Sequence, residues 1–171
     1  GIISFWHSTF ITQNSKLFKM ALPSVYDKSV AEDIISRINQ LTPKSQPLWG
    51  KMDVARMLAH CCITYEYIFD ERHDKPNFFM KFILKSFVKK KVVSEEVYEK
   101  NSPTGPAFII ADSKDFDEQK TRLLNYIYKV VEKGSSFFQG KKSVSFDELT
   151  PTEWNNLMYK HLDHHLRQFG V

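Results

Sequence analysis

"LTPTEWNNLMYKHLDHHLRQFG", Leu149 to Gly170, carries a marked beginning and a marked end. Thr150 is a good N-cap, Pro151 occupies the first helical position, and Glu153 is spaced to reach back to the backbone N–H of the cap. Gly170 stops the run. Between these signals, at about 100 degrees per residue, Trp154, Met158, His161, Leu162, His165 and Phe169 fall on one stripe. The spacing predicts a helix with two imidazoles, His161 and His165, turned toward a core. His164 lies about 80 to 100 degrees aside, and Lys160, Asp163 and Arg167 are expected on the opposite, solvated side.

Working outward from that helix, three more segments show helical periodicity. Asp27 to Leu41 repeats Val30, Ile34, Ile35, Ile38 and Leu41 on one face and stops at "TPKSQP", where Pro43 and Pro47 forbid continuation. Asp53 caps a second helix that runs to about Phe69 or Glu71, with Val54, Met57, Leu58, Cys61, Tyr65 and Phe69 on its stripe. A third begins near Asp115, with Glu118 at capping-box spacing, carries Leu123, Leu124, Ile127, Val130 and Val131, and stops at Gly134. Roughly forty residues separate the second and third helices, too many for the short turn of an up-and-down pair, so this connection is expected to cross over. The fold class read from this pattern is all-α, a four-helix bundle with a long crossover between helices two and three.

Composition agrees with one ordinary domain. The 171 residues are 42% hydrophobic and 26% charged, enough to bury a core and too apolar for extensive disorder. The net charge of +4 is concentrated in Pro76 to Val93, where Lys81, Lys85, Lys89, Lys90 and Lys91 occur without an acid. Outside it the chain is nearly balanced, which argues against a nucleic-acid-coating protein. No stretch approaches the roughly 20 apolar residues of a membrane span. Cys61 and Cys62 are adjacent on a helix, where a mutual disulfide is strained, and fit a reducing cytoplasm. The opening residues do not read as a signal peptide, and Met20 offers an internal start; residues 1–19 are therefore expected to be an upstream extension, and 20–171 the domain.

Half of the chain's six histidines sit in the final helix. An i, i+4 pair can place two imidazole nitrogens on one metal ion, although a shuffled chain of this composition would give such a pair about one time in five. Placement on an apolar stripe is the stronger signal, because buried imidazoles without partners each cost on the order of 1 to 3 kcal/mol. Core carbonyls or hydroxyls could satisfy them; so could a metal completed by a third ligand. His60, beside Met57 and Thr64 on the flank of helix two, is placed to look across toward helix four.

"WGKMDVARMLAHCCITYE", Trp49 to Glu66, together with Leu149 to Gly170, resembles the DinB-like superfamily of metal-dependent four-helix bundles, and within it an uncharacterised branch similar to the YfiT-type proteins. The resemblance covers roughly Ser24 to Val171. It implies a metal triad of one histidine on the second helix and a His-x-x-x-His pair on the last, here His60, His161 and His165, with His164 outside it. It also implies a small-molecule substrate, since better understood relatives are thiol S-transferases and thiol-dependent isomerases thought to activate bacillithiol or mycothiol.

Three neutral imidazoles leave at least one position open on a divalent ion, the arrangement of a catalytic site. Zinc, nickel, iron(II) and manganese all suit imidazole. The functional expectation is a metal-dependent enzyme using a small thiol; the alternative is a non-catalytic or stress-associated metal-binding bundle. No catalytic acid or base stands out. Cys61, Tyr65 and Tyr67 read as packing residues, Glu66 and Asp163 as outside the triad, and Gln168 as a partly exposed last-turn side chain rather than an orienting group. In "NFFMKFILKSFVKKK", Asn77 to Lys91, the favoured reading is a partly helical segment whose aromatics cap the bundle while its lysines stay solvated; docking on an anionic membrane is the less favoured one. A homodimer is left open.

Overall fold

The protein is described here by a computed structural model covering residues 21–70 and 72–171. The extension expected at 1–19 lies outside the described residues. The chain is mostly helical: α1 spans Lys28–Gln40, α2 Val54–Phe69, α3 Phe78–Ile83, α4 Lys89–Val93, α5 Phe116–Lys133 and α6 Pro151–Gln168. A π-turn, Leu84–Val88, joins α3 to α4, and a short hairpin pairs Lys142–Ser143 with Asp147–Glu148.

The helix starts follow the local chemistry. Asp53 accepts from the Arg56 N–H, Asp115 from the Glu118 N–H, and Thr150 with Glu153 closes a reciprocal capping box ahead of Pro151. Gly134 and Gly170, both at positive φ, lie just past the ends of α5 and α6. α2 is buried on nearly every side, which its apolar composition requires, and it packs most extensively against α5.

Specific contacts set the helix directions. The Cys62 thiol meets the Gln119 carbonyl, Glu66 meets Arg122, and Asp70 meets Tyr126, so α2 and α5 run the same way. Tyr26 binds the Pro151 carbonyl and Arg37 binds Asp163, which makes α1 parallel to α6. Gln168 reaches the Trp49 carbonyl before α2 while His161 meets Thr64 farther along it, so α6 opposes α2. The described part of the connection between α2 and α5 is residues 72–115. Ile34, Ile38, Met57, Leu58, Tyr65, Leu123, Val130, Met158 and Leu166 form the centre of the core, all within 2% of complete burial.

Two expectations fail. Lys160 is not on a solvated face: it is 3% exposed, because the crossover covers that side of α6, and its Nζ donates to the carbonyls of Lys91 at 2.7 Å and Glu96 at 2.9 Å. The Lys91 carbonyl lies near the C-terminal end of α4, where unpaired acceptors and the helix dipole favour a cation. The aromatics of Asn77–Lys91 also do not cap the bundle. The segment is helical, but Leu84, Val88, Val92 and Val93 make its inward contacts, while Phe78, Phe79, Phe82 and Phe87 face outward.

Candidate metal centre

The site lies where α2 and α6 face each other. His60 and Thr64, one turn apart on α2, look toward His161 and His165, one turn apart on α6. The three ring centroids form a near-equilateral triangle with sides of 4.8 Å (His60 to His161), 4.6 Å (His60 to His165) and 4.9 Å (His161 to His165). One nitrogen from each ring lies within 4.8 Å of the others. His60 and His165 are buried and His161 is half-buried.

Each ring is oriented through Nδ1. His60 Nδ1 lies 2.8 Å from the Phe108 carbonyl, His161 Nδ1 3.1 Å from the Thr64 hydroxyl, and His165 Nδ1 2.8 Å from Oε1 of Gln168. A carbonyl or amide oxygen can only accept, so His60 and His165 carry the proton on Nδ1 and present Nε2 as a lone pair. The amide of Gln168 is fixed by its other end, where Nε2 donates to the Trp49 carbonyl at 2.8 Å. This is the outer-shell pattern of histidine metal sites, in which the second ring nitrogen donates to an oxygen and fixes the tautomer. His60 Nε2, as a lone pair, accepts from His161 Nε2–H at 2.8 Å, so His161 Nδ1 accepts from the Thr64 hydroxyl; the two Nε2 atoms stand somewhat closer than the roughly 3.3 Å between ligands on a tetrahedral ion at 2.0 to 2.1 Å per bond. An ion between all three would take the place of the His161 Nε2 proton and bring the nitrogens, now up to 4.8 Å apart, to ligand spacing.

Electrostatics favours the form that binds metal. Burial holds His60 below the usual imidazole range against the opposing pull of its Phe108 hydrogen bond. Burial, followed by the neighbouring His60, His165 and His164, depresses His161 strongly. Burial and His60 lower His165 to about 3. Neutral imidazoles are what a metal requires.

The remaining sequence candidates fall as follows. His164 stays outside the cluster, half-buried, with its ring edge-on to Trp49 and Tyr98. Glu66 is committed to Arg122 and His73, and Asp163 to Arg37. Cys61 and Cys62 are free and buried, with thiols raised chiefly by burial. Tyr65 stacks on Tyr126 in the core. Gln168 contradicts its expected exposure: it is 5% exposed and orients His165, because the loop at Trp49 closes over the end of α6. That closure needs Gly50, at φ +80, where a Cβ would lie 2.7 Å from Gln168 Nε2.

Phe108 gave no signal in the sequence. It belongs to a short 3-10 turn, Pro106–Phe108, in the crossover, and its ring sits 5.7 Å from His60, 6.2 Å from His161 and 5.9 Å from Tyr67. Arg56 anchors this strip by donating to the Ala111 and Asp112 carbonyls. Thr64 could have been found from its i+4 spacing to His60.

A family model described as "Protein of unknown function (DUF1569)" matches residues 27–170. The chain belongs to that family. The DUF1569 match spans α1 to α6 and contains all three clustered histidines. No curated protein matches the chain, and no solved structure does.

Proposed function

We propose that His60, His161 and His165 hold one divalent metal ion, and that this DUF1569 protein is a metal-dependent enzyme acting on a small thiol, as an S-transferase or isomerase. The observation that carries the reading is the arrangement of the three rings: each is held at Nδ1 by an oxygen, and one nitrogen from each ring lies within 4.8 Å of the others. The helix directions support the further reading that the chain is a DinB-type four-helix bundle, with α2 and α5 parallel and a long crossover between them.

An ion bound there would act as a Lewis acid and lower the pKa of a thiol reaching its open position. The protein's part is to hold and shield. Phe108, Thr64 and Gln168 keep the rings in register, Phe108 stacks on Tyr67 beside His60, and burial keeps the imidazoles unprotonated. Imidazole donors suit zinc, nickel, iron(II) and manganese, and the two free buried thiols fit a reducing, cytoplasmic setting.

Metal-loaded protein should consume bacillithiol or mycothiol in the presence of a chloroarene electrophile, and removing the metal should abolish the reaction. Stoichiometric metal with no turnover across thiols and electrophiles would favour the second reading, a non-catalytic metal-binding protein. That reading has its own support, because Glu66 and Asp163 are tied up in ion pairs away from the histidines.

A further inference from the structure

Phe78, Phe79, Phe82 and Phe87 expose 89, 70, 59 and 77% of their surface. Single exposed apolar side chains are ordinary, but a cluster of this size on one helical segment is the kind of patch that marks an interaction surface. The segment is firmly held from behind. Leu84, Val88 and Val92 pack on the core, Lys160 and Asn156 of α6 bind the carbonyls of Lys91 and Val93, and Lys81 and Lys85 both pair with Asp147. The fold therefore presents these rings outward rather than leaving them on a loose loop.

Charge identifies what would cover them. Lys81, Lys85, Lys89, Lys90 and Lys91 accompany the phenylalanines, with no acid from 76 to 93. Beside the segment, Lys75, Lys81, Lys141 and Lys142 line a cleft of about 350 Å³. Asp147 and Glu153 take up part of this charge, whereas Lys75, Lys90 and Lys142 have no carboxylate partner among the described residues. A two-fold dimer through this face would set lysines against lysines. An anionic bilayer surface suits both features, since rings can enter the headgroup–acyl boundary while lysines stay at the phosphates.

We propose that residues 76–93 are a membrane-docking face that seats the protein on an anionic lipid surface, with Phe78, Phe79, Phe82 and Phe87 as the inserted side chains. The contact is interfacial: among the described residues no helix is long and apolar enough to cross a membrane. It is independent of the histidine site, which lies between α2 and α6.

The test is flotation of the full chain with vesicles of phosphatidylcholine alone and of equal parts phosphatidylcholine and phosphatidylglycerol, at about 0.15 M salt. The chain should float with the anionic vesicles and at least about tenfold less with the neutral ones. Replacing the four phenylalanines by serine should remove flotation at least about tenfold while leaving the helical circular dichroism unchanged. The double variant Lys90→Glu, Lys142→Glu, altered only at exposed positions, should lose a comparable share and serves as the deciding arm should the serine variant fail to fold. Wild-type protein that stays unbound with anionic vesicles overturns the proposal, as does a folded variant of either kind that floats like wild type. A wild-type dimer that the serine variant converts to monomer, without any flotation, would assign the face to a second copy.

Discussion

Gln168 shows how much a single side chain can settle. Its Nε2 is taken by the Trp49 carbonyl, so its Oε1 must face His165, and that fixes which nitrogen of His165 is free. Gln168→Leu, close in shape but without either bond, should weaken metal binding by about 10- to 100-fold and, by leaving His165 Nδ1 and the Trp49 carbonyl without a partner, cost about 1 to 3 kcal/mol in stability. Competition titration against a chelator of known affinity reads the binding directly. Gly50→Ala should act on the same contact from outside: the new methyl meets Gln168 at 2.7 Å and the φ of +80 is strained for alanine. A loss of about 1 to 3 kcal/mol in stability is expected, together with weaker metal binding. A Gly50→Ala protein that melts like wild type would show that the loop yields without cost. The sequence was legible here only in part. Periodicity placed His165 on the inner face, but the partner of Gln168 lies 119 residues away in sequence, beyond the reach of any local pattern.

At the scale of the element, α6 is covered on two sides. Its histidine face meets α2, and its Lys160 face meets the crossover. A helical wheel assumes one buried stripe, which is why Lys160 read as a solvated position although it is buried. The same assumption misread Asn77–Lys91, because apolar content says that a surface is sticky and not what it touches. Helix starts were legible by contrast, since Thr150, Pro151 and Glu153 act within one turn. Lys160→Ala should leave the Lys91 and Glu96 carbonyls without their donor and cost about 1 to 3 kcal/mol. Hydrogen exchange should accelerate from 78 to 96 while α2 and α5 keep their protection. Uniform acceleration across all helices would mean that Lys160 supports the core instead of anchoring the crossover.

Over the whole molecule, the histidine cluster couples folding to pH. His60, His161 and His165 are all held below the ordinary imidazole range, His165 down to about 3, chiefly by burial. Unfolded imidazoles with a pKa of about 6.5 bind protons that the folded ones refuse. The metal-free chain is therefore most stable, in this respect, above about pH 6.5 and loses stability as pH falls toward the folded values, by an amount on the order of a few kcal/mol. Melting of chelator-treated protein between about pH 5 and 7.5 should show a declining midpoint toward acid, and a His161→Ala, His165→Ala variant should show a flatter profile. A slope that persists in the double variant would come from groups other than His161 and His165, first among them His60 and His164, whose imidazoles burial also holds low.

The central claim is the arrangement of the three rings as one metal site, and elemental analysis of purified, untagged protein after metal supplementation at neutral pH tests it most directly. Wild type and His164→Ala should each hold close to one divalent ion per chain, while His60→Ala, His161→Ala and His165→Ala should hold far less. A wild type that binds no divalent ion, or a His164→Ala protein that loses as much metal as His161→Ala, would contradict the account and leave the three histidines as hydrogen-bonding groups of the core.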